Sequence, residues 1–158
     1  MLSGLKLFNI GVGFTLPFKI VGAPWIRAAQ YAQKLNEQKL PGVHFVPFYF
    51  KPFYGLYKGE DCQGVLIRIT DSRRYRPIAT QYALLGVSKS MYPKEFENRL
   101  PKASSMNLFH QANGTDVVFR ILTEEKYATW KLVEFQQAER KAFAEVRKKY
   151  LLPNYSEN

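Results

Sequence analysis

Few side chains in this 158-residue chain are equipped for covalent or acid–base chemistry. Cys62 is the only cysteine, so no internal disulfide can form, and it reads as a small buried hydrophobe. His44 and His110 are the only histidines and lie far apart. No structural zinc site is expected from them, and no Ser-His-Asp or Cys-His set can be assembled. Cleaving a glycosidic bond asks instead for two carboxyl groups flanking that bond. Most acidic residues, Glu95, Glu97, Glu124, Glu125, Glu134, Glu139 and Glu145 among them, fall on or beside predicted helices, where solvation is their ordinary role. Glu60, Asp61 and Asp71 lie on loops near strand ends, where sites concentrate. Glu60 is the candidate catalytic carboxylate, with capping or turn duty as the competing use.

Binding residues are easier to nominate. The stretch "FYFKPFYGLYKGEDCQG", Phe48–Gly64, is dense in aromatic rings. Phe48 and Phe50 share a strand face and belong to a core. Tyr54 and Tyr57, beyond Pro52 and beside Gly55 and Gly59, fall on a loop and could offer rings to the flat face of a sugar or base. A loop packed down by its own aromatics is the alternative. Gly11-Val12-Gly13 lacks the third glycine and the lysine-serine ending of a phosphate loop, so a hairpin or close backbone approach is its expected use.

The elements that would hold these residues follow from periodicity. Thr15–Val21 reads as a short strand or extended arm, punctuated by Gly22-Ala23-Pro24. Apolar residues at helical spacing predict a helix over Trp25–Gln38 with Pro24 in its first turn. Val43–Phe50 alternates as a strand, and Pro47 places it at an edge or a bulge. Val65–Thr70 alternates again. Pro77 opens a helix over Ile78–Met91 whose buried stripe is Ile78, Tyr82 and Leu85, joined by Leu84, Val87 and Met91. A short helix over Lys94–Asn98 follows. Asn113-Gly114 is a turn, and Thr115 caps a helix over Asp116–Leu122. A long amphipathic helix over Ala128–Tyr150 closes the chain, with Leu132, Phe135, Ala138, Ala142, Val146 and Tyr150 inward and a Glu145–Lys149 pair outside. The expectation is one α+β domain: a small mixed sheet packed by three to four helices.

A hydrophobic fraction of 46% and an aromatic fraction of 15% exclude a disordered chain. No apolar run approaches the roughly 18 residues of a transmembrane segment, and Met1–Gly13 lacks the pattern of a signal peptide. The formal charge of +10, from 23 basic and 13 acidic residues, favours anionic partners: nucleic acid, anionic lipid or an acidic cell-wall polymer. The basic residues cluster at Arg73, Arg74 and Arg76, and again at Arg140, Lys141 and Arg147–Lys149.

Several ordered motifs resemble one family. "TLPFKIVGAPWI" at Thr15–Ile26 and "LPGVHFVPFYFKPFYGLYKGEDCQGVLIRITD" at Leu40–Asp71 are similar to the C-terminal domain of NamZ-like exo-β-N-acetylmuramidases. "YRPIATQYALLGVSKSMYP", "FHQANGTDVVFRIL" and "FAEVRKKYLL" follow in the family's order, so the resemblance covers nearly the whole chain. It implies an exported, periplasmic or secreted bacterial protein in which a Rossmann-like N-terminal domain precedes this one. It also implies release of terminal N-acetylmuramic acid from peptidoglycan fragments in a cleft between the domains. On that basis Gly11, Gly13, Thr15 and Trp25 would shape an arm against the sugar, and Tyr54, Tyr57 and Glu60 would line the loop. No cofactor or metal is implied. The chain departs from the family in its arm, which typically reads Glu-Gly-Thr-Asn and then Gly-Arg-Gly-Thr. Ser3 or Gly4 stands for the glutamate, Val12 for the arginine and Phe14 for the threonine. Three readings therefore stay open: a cleft-forming domain inactive by itself, a non-catalytic module for an anionic glycan or nucleic acid, and an orphaned interaction domain.

Overall fold

The computed structural model describes residues 2–101 and 106–152, without the side chain of Ser3. The fold is α+β in one domain, as expected, but its three-stranded sheet is antiparallel throughout rather than mixed. The strands β1 (Ile20–Ala23), β2 (Val43–Phe50) and β3 (Cys62–Ile69) take the order β1-β3-β2. The cause is local: β2 and β3 form one long hairpin across the loop 51–61, with Phe50 opposite Cys62 and Val43 opposite Ile69. β3 therefore begins at Cys62, three residues before the alternation at Val65 reveals it.

Pro47 sits in an edge strand, and the parity of the ladder explains why it is tolerated. Asn36 takes both backbone groups of Phe45, its Nδ2 donating to the Phe45 carbonyl (2.8 Å) and its Oδ1 accepting from the Phe45 N–H (2.9 Å). Odd-numbered residues of β2 thus direct their backbone groups off the sheet, and the N–H that Pro47 lacks is on that outer side.

Helix α1 (Ala28–Glu37) lies between the sheet and α2 (Pro77–Met91), and α2 in turn packs against α3 (Pro93–Arg99), α5 (Val117–Glu124) and α6 (Ala128–Val133). α4 (Asn107–Asn113) joins α5 to the 3-10 turn Leu2–Leu5. Helix α1 starts three residues later than its spacing suggests. Pro24 lies outside it, because the chain turns at Ala23–Ile26 and sends Ile26 into the core. β1 likewise starts later than Thr15 and runs through Gly22-Ala23, since Phe18 with φ +63° breaks any extended path before it. Helix α2 is buried on nearly every side from Ala79 to Lys89 rather than along one stripe, and Ile78 in its first turn is exposed. It is the central helix of the domain. Tyr31, fully buried, fastens α1 to it by donating from its hydroxyl to the Leu84 carbonyl (2.7 Å). Gly86 lets α6 approach so closely that a Cβ there would overlap the Thr129 backbone.

The closing helix is not continuous. α6 ends at Val133, Gln136 takes φ +55°, and α7 (Gln137–Arg147) leaves in a new direction, followed by a 3-10 turn at Lys148–Tyr150. Leu132 is in the core, but α7 has no buried residue: Val146 is exposed and Tyr150 is 82% exposed. The predicted inner stripe therefore faces solvent beyond the break. Glu145 pairs with Lys148 (2.7 Å), not Lys149. Thr115 does serve the start of α5, its Oγ1 accepting from the Val117 N–H (3.2 Å).

Candidate functional site

The arm 9–14 and the loop 51–61 meet at the end of the sheet where β2 finishes and β3 begins. Asn9, which is buried, is the junction. Its backbone pairs with Gly22 at the outer edge of β1, through bonds of 2.8 and 2.9 Å. Its side chain then spans arm and loop. Oδ1 accepts from the Gly11 N–H (2.7 Å), and Nδ2 donates to the carbonyls of Val12 (3.0 Å) and Leu56 (2.8 Å). The Phe53 N–H donates to the Gly13 carbonyl (2.6 Å), closing a second link.

Gly13 has φ +86°, and a Cβ there would collide with the Tyr54 carbonyl. Only glycine lets the two backbones come this close. Phe14 anchors the arm from its other side, its ring 5.6 Å from that of Phe50 and 6.1 Å from that of Phe48. The aromatic stretch that opens at Phe48 thus divides. Its strand rings hold the arm down, and its loop rings Phe53 and Tyr54, 71% and 62% exposed, stand out beside Val12.

Tyr57 belongs to the first group. It is buried, with φ +62°, a backbone region that an aromatic residue rarely adopts. Its hydroxyl donates to the Leu7 carbonyl (2.9 Å) and accepts from Trp25 Nε1–H (3.2 Å). The ring is packed inward and is not presented to solvent, so its place is that of a fastener beneath the loop. Trp25 is half-buried, with Phe8 at 5.6 Å and Tyr92 at 5.5 Å. The Arg99 guanidinium, from α3, lies 5.9 Å from the Tyr57 ring centroid.

Of the nominated residues, Gly11, Gly13, Tyr54, Tyr57 and Trp25 form one connected cluster. Thr15 lies on the exposed turn after Phe14, and its hydroxyl makes no hydrogen bond among the described residues. Glu60 is at the far, exposed end of the loop, its N–H donating to the Tyr57 carbonyl (3.0 Å). Its neighbour Asp61 pairs with Lys51 (3.0 Å). Burial, reinforced by the carboxylates of Glu60 and Asp61, pushes the Cys62 thiol up to about 11. Cys62 is therefore protonated at neutral pH and is no nucleophile. Among the described residues no three metal-ligating side chains come together, and no helix is long and apolar enough to cross a membrane. What this surface offers is a ledge with exposed rings, able to meet a flat apolar face.

The model of the family described as exo-beta-N-acetylmuramidase NamZ, C-terminal, matches residues 1–152. The chain belongs to that family. It is 28% identical over 142 residues to the peptidoglycan beta-N-acetylmuramidase NamZ of Bacillus subtilis, covering 90% of this chain and 33% of that protein. It also matches the crystal structure of a DUF1343 family protein from Bacteroides fragilis, with a TM-score of 0.84 and 27% identity over 96% of this chain and 39% of the other. The chain thus spans about a third of the length of the curated relative it matches.

Within this NamZ C-terminal domain, two of the three arm positions at which the resemblance implies a departure have a clear structural place. Phe14 is built into the aromatic packing beneath the arm, and Val12 is an exposed apolar side chain on the ledge. Gly4 lies elsewhere, against Phe109. Asn9 and Arg99 are the residues that sequence reasoning missed. Asn9 could have been suspected as a lone amide in an apolar segment, whereas nothing local connects Arg99 with Tyr57.

Proposed function

We propose that this chain forms one wall of a pocket for the terminal N-acetylmuramic acid of peptidoglycan fragments and does not hydrolyse them by itself. The observation that carries the proposal is the arm–loop junction: Asn9 and Gly13 lock two separate segments into one ledge that exposes Val12, Phe53 and Tyr54. Aromatic faces of this kind suit the apolar face of a pyranose. Arg99 supplies a cation at the cluster, and the formal charge of +10 suits a substrate bearing carboxylates.

The catalytic pair is what this wall lacks. Hydrolysis with either stereochemical outcome uses two carboxyl groups across the scissile bond. Glu60 stands exposed at the loop end, and Asp61 is occupied by Lys51. The opposite wall is the Rossmann-like domain that accompanies this one in the family, in a periplasmic or secreted setting. The relative's additional length supports that partnership, since this chain covers 33% of it.

The test combines binding and turnover. N-acetylmuramic acid should perturb the NMR signals of Gly11, Gly13 and Tyr54 in the chain alone, and Tyr54→Ala should weaken that binding. A chromogenic muramide should stay intact with the chain alone. Release of the chromophore by the purified chain would overturn the one-wall reading, and sugar binding indifferent to Tyr54→Ala would remove the ledge from it.

A further inference from the structure

A hollow lies on another part of the molecule. A groove of about 600 Å³ opens between the start of α2 and the corner where α6 turns into α7. Its lining includes Leu40 and Pro41, just before β2, whereas the arm and loop meet beyond Phe50 at that strand's other end. Eight residues of strand separate the two places by roughly 23 Å. We propose that this groove binds a small carboxylate carried on a flat apolar body.

Three features point to that chemistry. The floor is apolar, made by Leu40, Ile78 and Val133, and the groove's volume falls in the range of small-molecule sites. Tyr75 and Trp130 line its walls. Trp130 is 47% exposed, yet its indole is fixed in place by Nε1–H donating to Gln38 Oε1 (3.0 Å). A ring held this way presents a face without losing rotamer freedom when a ligand arrives.

The charges are unbalanced. Arg76, Arg140 and Lys141 line the groove against one acid, Glu134, and none of the four joins an ion pair among the described residues. Arg140 is also positioned in advance. Its Nη2 donates to the Val133 carbonyl (3.0 Å) and its Nε to the Gln136 carbonyl (3.3 Å), two carbonyls that flank the α6–α7 break. Guanidinium groups in such settings match the planar, two-pronged geometry of a carboxylate. The helix break that leaves α7 without buried residues is therefore also what sets this groove's shape and its cations.

The experiment is an NMR titration of the whole chain with indole-3-acetate, with indole-3-acetamide as its uncharged counterpart and phenyl phosphate as a second anion. Expected are saturable shifts of the Trp130 indole N–H and of amides in Arg76–Ala79 and Gln137–Ala144. The acetamide should bind at least about tenfold more weakly, and phenyl phosphate no more tightly than the acid. The double variant Arg76→Gln, Lys141→Gln should lose about tenfold in affinity for the acid without a change in melting temperature, since both side chains are exposed. Absence of saturation at millimolar acid overturns the proposal. So does equal binding of the acetamide, undiminished affinity in the double variant, or shifts confined to the arm and loop. Tighter binding of phenyl phosphate would reassign the site to phosphate esters and refute the carboxylate. None of these outcomes bears on the sugar ledge, whose test reads other residues.

Discussion

Replacing Asn9 by alanine removes three hydrogen bonds from the junction between arm and loop. Their losses are unequal. Gly11 is buried, so its N–H would be left without a partner, at about 1–3 kcal/mol. The carbonyls of Val12 and Leu56 belong to residues at the surface and can turn to water, so each lost bond costs about 0.5–1.5 kcal/mol. The sum is roughly 2–6 kcal/mol. This loss should appear first as local undocking, because the β2–β3 ladder does not depend on Asn9 and loops open below the global unfolding energy. Hydrogen exchange is the assay. The Phe53 amide, held to Gly13 at 2.6 Å, and the Gly11 amide should lose protection by at least about thirtyfold, at 1.4 kcal/mol per factor of ten. The Leu66 amide, which belongs to the β2–β3 ladder, should change far less. Asn9→Asp keeps the acceptor for Gly11 but turns a carboxylate toward two carbonyls, so protection should partly recover as that carboxyl is protonated at low pH. Unchanged exchange at Phe53 and Gly11 in Asn9→Ala, with stability within about 0.5 kcal/mol of the parent, would refute the account of how the ledge is held.

Gly86→Ala places a methyl group against the Thr129 backbone, so α2 and α6 must separate. We expect a loss of about 1–3 kcal/mol in urea unfolding, with a value near zero refuting that crossing. Leu132→Ala should cost about 2–5 kcal/mol, whereas Phe143→Ser with Val146→Ser should stay within about 0.5 kcal/mol, because Leu132 is buried and Phe143 is 66% exposed. Comparable losses would restore the continuous, inward-facing closing helix. Stability should also fall in alkali. Burial raises the thiol of Cys62 to about 11, and raises Tyr31 and Tyr82 as well, with the charge of Tyr92 adding to the first tyrosine and Arg140 partly opposing the second. These groups hold their protons more tightly folded than unfolded. Their contribution is whole below the unfolded values and is lost as pH rises, beginning near 8.5 for the thiol and 10 for the tyrosines. A melting temperature that holds level from pH 8 to 11 would contradict this sign.

How much of this was legible in the chain depended on whether the deciding contact was local. β2 was readable residue for residue, because alternation from Val43 to Phe50 and the position of Pro47 are properties of the strand itself. Pro77 marked the start of α2 because its ring presets a helical φ. The break at Gln136 left no such mark. Phe135 continues the stripe from Leu132 at helical spacing, and a glutamine carries the left-handed backbone where glycine would have announced it.

The site shows the same division more sharply. Tyr54 and Tyr57 are nearly indistinguishable as letters, three apart on one glycine-rich loop, yet one ring stands in solvent and the other lies in the core. What separates them is the carbonyl of Leu7 and the indole of Trp25, fifty and thirty-two residues away. The partners that hold the Tyr57 ring inward are distant in the chain, so no local pattern could reveal its positive φ. Asn9 works in the same way across forty-seven residues. The ledge is therefore assembled from long-range bonds to backbone carbonyls. Substitutions on its exposed rings should alter what it binds and leave the fold alone, while substitutions at Asn9 or Tyr57 should dissolve the ledge with every ligand-facing residue still present.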